Sequence, residues 1–259
     1  TAGRTTLNGE GLQHQDGHSH ILASTIPNCV SYDPAYSYEL AIIIKEGMRR
    51  MYQEMDSVFY YITTMNENYQ QPDMPKGIEG DVIKGMYLLE DGDSKDFKVS
   101  KPINQDDRIR LLGSGTILRE ARKAAELLRS EYSVVVDVWS VTSFNELRRE
   151  ALNINRENML NPTKKQKIPF VTQKLSTKRG PVLSVTDYMK IHSDQIREFV
   201  PDVFRVLGTD GFGRSDSREQ LRHFFEVDMK FIAASALFEL KSEGIIDGKT
   251  LMADRKSVV

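Results

Sequence analysis

Apolar residues recur along the chain at the two spacings that are typical of strands and helices. In the first part of the chain, the runs 28–32 and 58–64 are rich in β-branched and aromatic residues, which favours strands. Between them, apolar positions at helical spacing predict a helix over 34–51, with Asp33 as its cap and Pro34 in its first turn. These three elements predict a β-α-β half-unit.

From residue 108 onward the alternation becomes regular. The predicted strands cover 108–112, 134–141, 169–172, 182–185 and 204–207, and the predicted helices cover 117–129, 145–153, 188–199, 217–225 and 231–243. Strands that are separated by helices are joined by crossover connections, so they form a largely parallel sheet with both faces covered. The predicted fold class is therefore α/β.

The chain is long enough for two domains. Residues 70–80 carry two prolines and two glycines between periodic segments, which is typical of a linker. We place the boundary there, dividing the 259 residues into 1–75 and 76–259. The chain opens with Thr1 on a polar loop that no strand or helix precedes, so we expect it to be cut from a longer protein; its last residues, 253–259, are expected to form a loose tail.

Composition and charge exclude several classes of function. The formal net charge is −2, so no general attraction to nucleic acid or anionic lipid is expected. No apolar run approaches the roughly 20 residues that a membrane span requires. The single cysteine, Cys29, cannot form an internal disulfide, which favours a cytoplasmic location.

The densest polar segment is 8–20, which contains Glu10, His14, Asp16, His18 and His20. Imidazole and carboxylate together suit zinc or iron, but no helix face or strand face is predicted to bring these side chains together. The segment is also typical of a polar surface loop. A third interpretation is an active-site loop, in which the acid and the first histidine transfer protons and donate hydrogen bonds.

Two further motifs contain glycine or arginine. The turn Gly113-Ser114-Gly115 lies between a predicted strand and a predicted helix but lacks the third glycine of a dinucleotide-binding motif, so a structural turn is favoured. In the loop 210–219, Asp216 and Glu219 have the spacing of a capping box. Beside this helix start, Arg214 and Arg218 could bind a phosphate, a partner subunit's carboxylate or an internal acid, and we favour a cap with an interface.

The run GRTTLNGEGLQHQDGHSH, followed by TIPNCVSYDPAYSYE, resembles the late part of the pyrimidine-binding domain of transketolase-like thiamine diphosphate enzymes. More narrowly, it resembles the homodimeric bacterial type of pyruvate dehydrogenase, the decarboxylating component of its complex. The resemblance continues in YYITTMNENYQQP, RIRLLGSGTILRE, DVWSVTSFNEL, VTDYMK and VLGTDGFGRSDSREQLRHFFEVD, so it covers nearly the whole chain.

This resemblance implies a fold, a function and a site. Residues 1–75 would end a pyrimidine-binding domain, and 76–259 would form the transketolase-like C-terminal domain. The function would be thiamine-dependent oxidative decarboxylation of pyruvate with reductive acetylation of lipoyl groups. In the superfamily, an acid and a histidine four positions later face the reacting carbon, and here these are Glu10 and His14. The neighbouring loop residues Gln13, His18 and His20 would lie close to the substrate.

The resemblance also implies cofactors and partners. Thiamine diphosphate and Mg²⁺ bind between two subunits in this family, and the Gly-Asp-Gly motif and the activating glutamate that hold them are absent from this sequence. The main ligands would therefore lie outside this chain, which would contain no metal site. The expected partners are a second identical subunit and the dihydrolipoyl acyltransferase with its lipoyl domain. The alternatives are a non-catalytic module for dimerisation and docking, or a related enzyme that acts on another 2-oxo acid or a sugar phosphate.

Overall fold

The computed structural model describes residues 3–99, 102 and 108–246. The strands in this part of the chain are β1 (Cys29–Tyr32), β2 (Phe59–Ile62), β3 (Met86–Glu90), β4 (Arg108–Gly113), β5 (Val135–Val141), β6 (Val182–Val185) and β7 (Phe204–Leu207). The α-helices are α1 (Ser19–Ser24), α2 (Ser37–Met48), α3 (Glu79–Lys84), α4 (Leu118–Tyr132), α5 (Phe144–Leu160), α6 (Phe170–Leu175), α7 (Lys190–Asp194), α8 (Arg218–Phe224) and α9 (Met229–Ser242).

Five strands form the larger sheet, in the order β3-β5-β4-β6-β7. All neighbouring pairs are parallel except β3 with β5, which is antiparallel. Every residue of β4, β5 and β6 is buried, as expected for central strands that are covered on both faces. Helices α4 and α9 pack on one face, and α5 and α6 pack on the other. This sheet confirms the predicted α/β fold.

The N-terminal part contains a second, two-stranded sheet. β1 and β2 are parallel, with Cys29 opposite Phe59, and α2 connects them. The helix packs closely on this sheet at Gly47, where an added Cβ would lie 3.2 Å from the ring of Tyr60. The β-α-β half-unit that the sequence predicts is confirmed.

The helix predicted over 34–51 begins later, at Ser37. Glu39 caps it, because its carboxylate accepts the backbone N–H groups of the two residues before the helix, at 2.6 and 3.1 Å. Asp33, the predicted cap, instead accepts a hydrogen bond of 2.7 Å from the hydroxyl of Thr63. The predicted cap was wrong because the aspartate bonds across to the neighbouring strand.

Two other elements differ from the prediction. Residues 169–172 are predicted to form a strand, but Pro169 is the N-cap of α6 and 170–172 are its first turn. The buried residues of this helix, Phe170, Val171 and Leu175, recur at helical spacing. The helix predicted over 188–199 consists of the short α7 and a 3₁₀ turn, Arg197–Phe199. Short apolar runs do not distinguish helix from strand by periodicity alone, which explains the first error.

The sequence gives no indication of α3 or β3. α3 begins at Glu79, inside the segment expected to be a linker, and Ile78 and Val82 lie in one apolar cluster with Ile43 of α2. The division of the chain at residue 75 stays a prediction. The tail at 253–259 lies outside the described residues. Within the described ranges, no helix is both long enough and apolar enough to cross a membrane.

Candidate functional site

The carboxyl ends of the parallel strands in both sheets carry buried polar side chains. In open α/β sheets, ligands bind in the crevice at this edge. The buried polar residues that follow these strands are Asp33 after β1, Thr63 after β2, Ser114 after β4, Thr142 and Ser143 after β5, Thr186 and Asp187 after β6, and Thr209 after β7. Residues 3–20, which include the polar segment 8–20, are attached to this edge near both ends, at Thr5 and at His20.

The start of this segment is attached to Asp187. The backbone N–H and the hydroxyl of Thr5 both donate to its carboxylate, and the hydroxyl bond measures 2.7 Å. The backbone N–H of Arg4 donates to the carbonyl of the same aspartate at 3.2 Å. Burial raises the pKa of the Asp187 carboxyl to about 7, although the Thr5 bonds and the charge of Arg222 act in the opposite direction.

The end of the segment is attached through His20. Its Nε2 lies 3.1 Å from the hydroxyl of Thr63, which in turn donates to Asp33. The His20 ring stacks on the His192 ring, with 4.9 Å between the ring centroids. Burial lowers the pKa of His20 to about 4 and that of His192 well below its ordinary value. Both rings are therefore neutral at pH 7 and form part of the core.

The middle of the segment is exposed. Leu12–His14 form one 3₁₀ turn with no buried residue. The side chains of Glu10, Gln13, His14 and His18 are all exposed, and within the described residues none of them forms a hydrogen bond or ion pair. Of the five residues expected near the substrate, four thus lie on the free surface of the loop and His20 lies beneath it.

The acidic and histidine side chains of this segment do not form a metal cluster. Asp16 caps α1, because its Oδ1 accepts the backbone N–H groups of His18 and Ser19 at 3.0 and 2.9 Å. His20 is buried while His14 is exposed. Across the residues that the structure describes, no group of three or more His, Cys, Asp or Glu side chains could hold a metal ion.

The loop after β7 places the two candidate arginines in different environments. Arg218 is half-buried: its Nε donates to the carbonyl of Thr6 at 2.7 Å and lies 3.8 Å from the Glu67 carboxylate. Arg214 is exposed, and its guanidinium lies over the ring of Phe224 at 5.1 Å from the centroid. Of the three partners considered for Arg218, the structure shows an internal acid; an anion or interface role for either arginine stays a prediction.

The capping box predicted in this loop was wrong. Ser217 is the N-cap of α8, and its hydroxyl accepts the backbone N–H of Gln220 at 3.3 Å. Asp216 accepts the backbone N–H of Ser217. The cap is therefore Ser217, whose backbone is extended, and it lies one residue later than the predicted Asp216.

A buried group of charges beside the site was missed by the sequence analysis. Glu67, in the loop after β2, pairs with Arg222 of α8 and with Arg119 of α4, and it accepts from the hydroxyl of Thr116 at 3.0 Å. Burial alone would raise the pKa of Glu67, but the bonds and charge of Arg222 outweigh it and lower the pKa to about 2. The run MNENYQ gives no sequence signal for this group, because its partners are distant along the chain.

Comparison with known proteins identifies both parts of the chain. Residues 85–228 match the family described as the transketolase-like TK C-terminal domain, which accounts for more than half of the chain. The chain belongs to this family. Residues 1–72 match the family described as the pyruvate dehydrogenase E1 component middle domain.

Individual relatives of this transketolase-like chain agree with that assignment. The pyruvate dehydrogenase E1 component of Pseudomonas aeruginosa is 58% identical over 97% of the chain, and that of Escherichia coli K12 is 53% identical over 97%. The chain spans 28% and 27% of the lengths of these two relatives. The resemblance found in the sequence is confirmed.

Solved structures show the same fold. Transketolase from Leishmania mexicana superposes with a TM-score of 0.60 at 18% identity, covering 93% of this chain and 29% of that one. Transketolase from Campylobacter jejuni gives 0.56 at 17% identity, covering 89% of this chain and 29% of that one. The transketolase-like fold implied by the resemblance is confirmed.

Proposed function

We propose that this chain is the C-terminal part of a pyruvate dehydrogenase E1 component, and that its exposed loop supplies Glu10 and His14 to the active site. The observation that carries the proposal is the 58% identity to a protein of that name over 97% of the chain. The geometry supports it, because the loop is attached at Thr5 and at His20 while the side chains of Glu10 and His14 between them are exposed. An anchored loop with free polar side chains is a suitable carrier of catalytic groups.

The proposed reaction is oxidative decarboxylation of pyruvate followed by reductive acetylation of a lipoyl group. Thiamine diphosphate supplies stabilisation of a carbanion when it is bound. His14 would donate a hydrogen bond to the carboxylate or the carbonyl oxygen of the 2-oxo acid, since imidazole can both donate and accept near neutral pH. Glu10 would orient the substrate or move a proton. Gln13 and His18 would border the same space.

The residues that the structure describes do not form a site for the cofactor's metal ion. In the described part of the chain no cluster of acidic or histidine side chains could hold Mg²⁺. The family resemblance places the main ligands of Mg²⁺ and of thiamine diphosphate outside this chain, and we propose the same here. The chain would contribute to the substrate end of the site only.

The expected partners are a second subunit and the dihydrolipoyl acyltransferase with its lipoyl domain. Exposed apolar side chains accompany the loop: Leu12 is 53% exposed, Phe212 is 85% exposed and Phe224 is 55% exposed. Exposed apolar groups of this kind mark protein interfaces when they occur together. The expected location is cytoplasmic, and neither nucleic acid nor a membrane is an expected partner.

The test uses the full-length protein that contains this chain. His14→Ala should lower the steady-state turnover of pyruvate by about 100- to 1,000-fold, because the loss of one donor to a developing charge costs about 2.7–4 kcal/mol. His18→Ala is the matched control, since it removes a second exposed imidazole from the same loop, and it should lower turnover much less. Titration with thiamine diphosphate should give the same affinity for both variants and for the unchanged protein.

Two results would contradict the proposal. If His14→Ala turns over pyruvate like the unchanged protein, the histidine has no catalytic role, and the alternative of a non-catalytic dimerisation or docking module gains support. If the unchanged protein is inactive on pyruvate but active on another 2-oxo acid or a sugar phosphate, the chain comes from a related transketolase-like enzyme.

A further inference from the structure

One side chain fixes the exposed turn that carries His14. Between residues 8 and 16, Gln15 is the only buried residue. The turn Leu12–His14 itself contains no buried residue, so packing of the turn against the core cannot fix its position. The position of His14 therefore depends on polar contacts made on either side of the turn.

The amide of Gln15 makes such a contact with the loop after β7. Its Oε1 accepts the backbone N–H of Arg214 at 2.8 Å, and its Nε2 donates to the carbonyl of the same residue. Both backbone polar groups of Arg214 are thus paired with both polar groups of the Gln15 side-chain amide. A pair of bonds in this arrangement restricts both the distance and the orientation of the two loops.

The sequence of the facing loop is suited to this contact. A Cβ added at Gly213 would lie 2.7 Å from Oε1 of Gln15 and 3.0 Å from the carbonyl oxygen of Leu12. The two loops approach each other so closely that a larger residue at this position would displace the amide.

A second set of bonds holds the other side of the turn. The backbone N–H of Gly9 donates to the carbonyl of Asp216 at 2.9 Å, and the backbone N–H of Arg218 donates to the side chain of Asn8 at 3.3 Å. The loop 213–218 therefore contacts the exposed turn both before and after His14. Among the residues that make these contacts, Gln15 is the one next to His14 in the sequence, and it is buried.

We propose that Gln15 is a positioning residue, which transmits the position of the C-terminal domain's loop 213–218 to the side chain of His14. This inference rests on the proposed catalytic role of His14. Without the Gln15 amide, the turn loses the two bonds that fix it on the side of His14, and only the bonds of Asn8 and Gly9 remain. A displacement of about 1 Å in a catalytic group can cost on the order of 100-fold in rate, so a residue without substrate contact can control turnover.

The experiment is a double-mutant cycle in the full-length enzyme with Gln15→Ala, His14→Ala and both together. Gln15→Ala should lower kcat by about 10- to 100-fold, with the KM for pyruvate and the melting temperature little changed. The double variant should be no more than about twofold slower than His14→Ala, because residues that act as one unit are not additive. Gln220→Ala, which truncates an exposed glutamine of α8, should leave kcat unchanged.

The outcomes separate the two proposals. If His14→Ala is slow while Gln15→Ala has normal kcat, the positioning role is overturned and the catalytic role stands. If both single variants are slow and their effects multiply, Gln15 does not act through His14, and the inference is again overturned. If His14→Ala is normal, both proposals fail.

A second variant decides the case in which Gln15→Ala lowers the melting temperature. Gly213→Ala retains the glutamine and displaces its amide from the other side. It should also lower kcat, and its effect should disappear when His14 is already alanine. A normal kcat for Gly213→Ala would overturn the inference.

Discussion

Two kinds of contact attach residues 3–72 to the rest of the chain, and they differ in burial. The first kind centres on Glu39, which is buried, and on Glu67, whose side chain is 11% exposed. Glu39 is fully buried and accepts hydrogen bonds from Ser140 of β5 at 2.6 Å and from Tyr87 of β3 at 2.7 Å. The other kind consists of the loop 8–16, in which Gln15 is the only buried residue.

The difference separates the residues that stabilise the fold from those proposed to act on substrate. A buried carboxylate with several partners cannot be removed without leaving polar groups unpaired in the core. An exposed side chain such as His14 has no such partners, so it can be selected for chemistry at little cost in stability. Binding and catalytic loops are commonly found in the least stable parts of a protein for this reason.

The largest expected effect comes from removing a buried charge. Glu67→Ala leaves the guanidinium of Arg222, which is 6% exposed, without its nearest acid, although Glu120 remains 3.6 Å away. Breaking a buried ion pair in this way typically costs about 3–5 kcal/mol. We expect urea denaturation to show a loss of this size in the unfolding free energy.

The control is Glu219→Ala, which removes an exposed acid of α8 and should change the unfolding free energy by less than about 0.5 kcal/mol. Equal effects of the two variants would contradict the importance of burial.

A smaller effect is expected from the protonation of Asp187. Burial raises the pKa of this carboxyl from 3.8 to about 7 and that of Asp33 to about 6. A carboxyl with a raised pKa in the folded state contributes stability at a pH below 3.8, and this contribution is lost as the pH rises to 7. Stability should therefore fall with rising pH in this window, at no more than about 1.4 kcal/mol per pH unit for each group.

Asp187→Asn removes one of the two titrating groups. The unfolding free energy of the variant, measured between pH 4 and pH 7, should fall less steeply than that of the unchanged protein. Parallel curves for Asp187→Asn and the unchanged protein would show that the carboxyl is ionised throughout.

The regular part of the fold could be predicted from the sequence because its determinants are local. Runs such as Val135–Val141 are mostly apolar and buried throughout, and this pattern is typical of a central parallel strand. The antiparallel strand β3 could not be predicted, because its place in the sheet depends on pairing with β5. Similarly, Asp33 was predicted as a helix cap from its neighbours, but it bonds to Thr63, which is 30 residues away.

The site shows the same limit. Glu10 and His14 are predicted from the family resemblance, which depends on a short run of sequence, and their role stays a prediction. Gln15 could not, because its role depends on Arg214, 199 residues further along the chain. Its one distinctive property, burial within an exposed loop, becomes visible only in the folded protein.

The smallest expected effect is the change in stability that His14→Ala causes, and His20→Ala provides the contrast. His14 is exposed and has no side-chain hydrogen bond within the described residues, so His14→Ala should change the unfolding free energy by less than about 0.5 kcal/mol. His20→Ala removes a buried ring that contacts His192, Tyr188 and Tyr61, and it should destabilise the protein by about 2 kcal/mol or more. Thermal melts of the two variants at pH 7 measure this contrast directly. A comparable loss in both would mean that the loop contributes to the stability of the fold, and the separation between the buried attachments and the exposed turn would then be wrong.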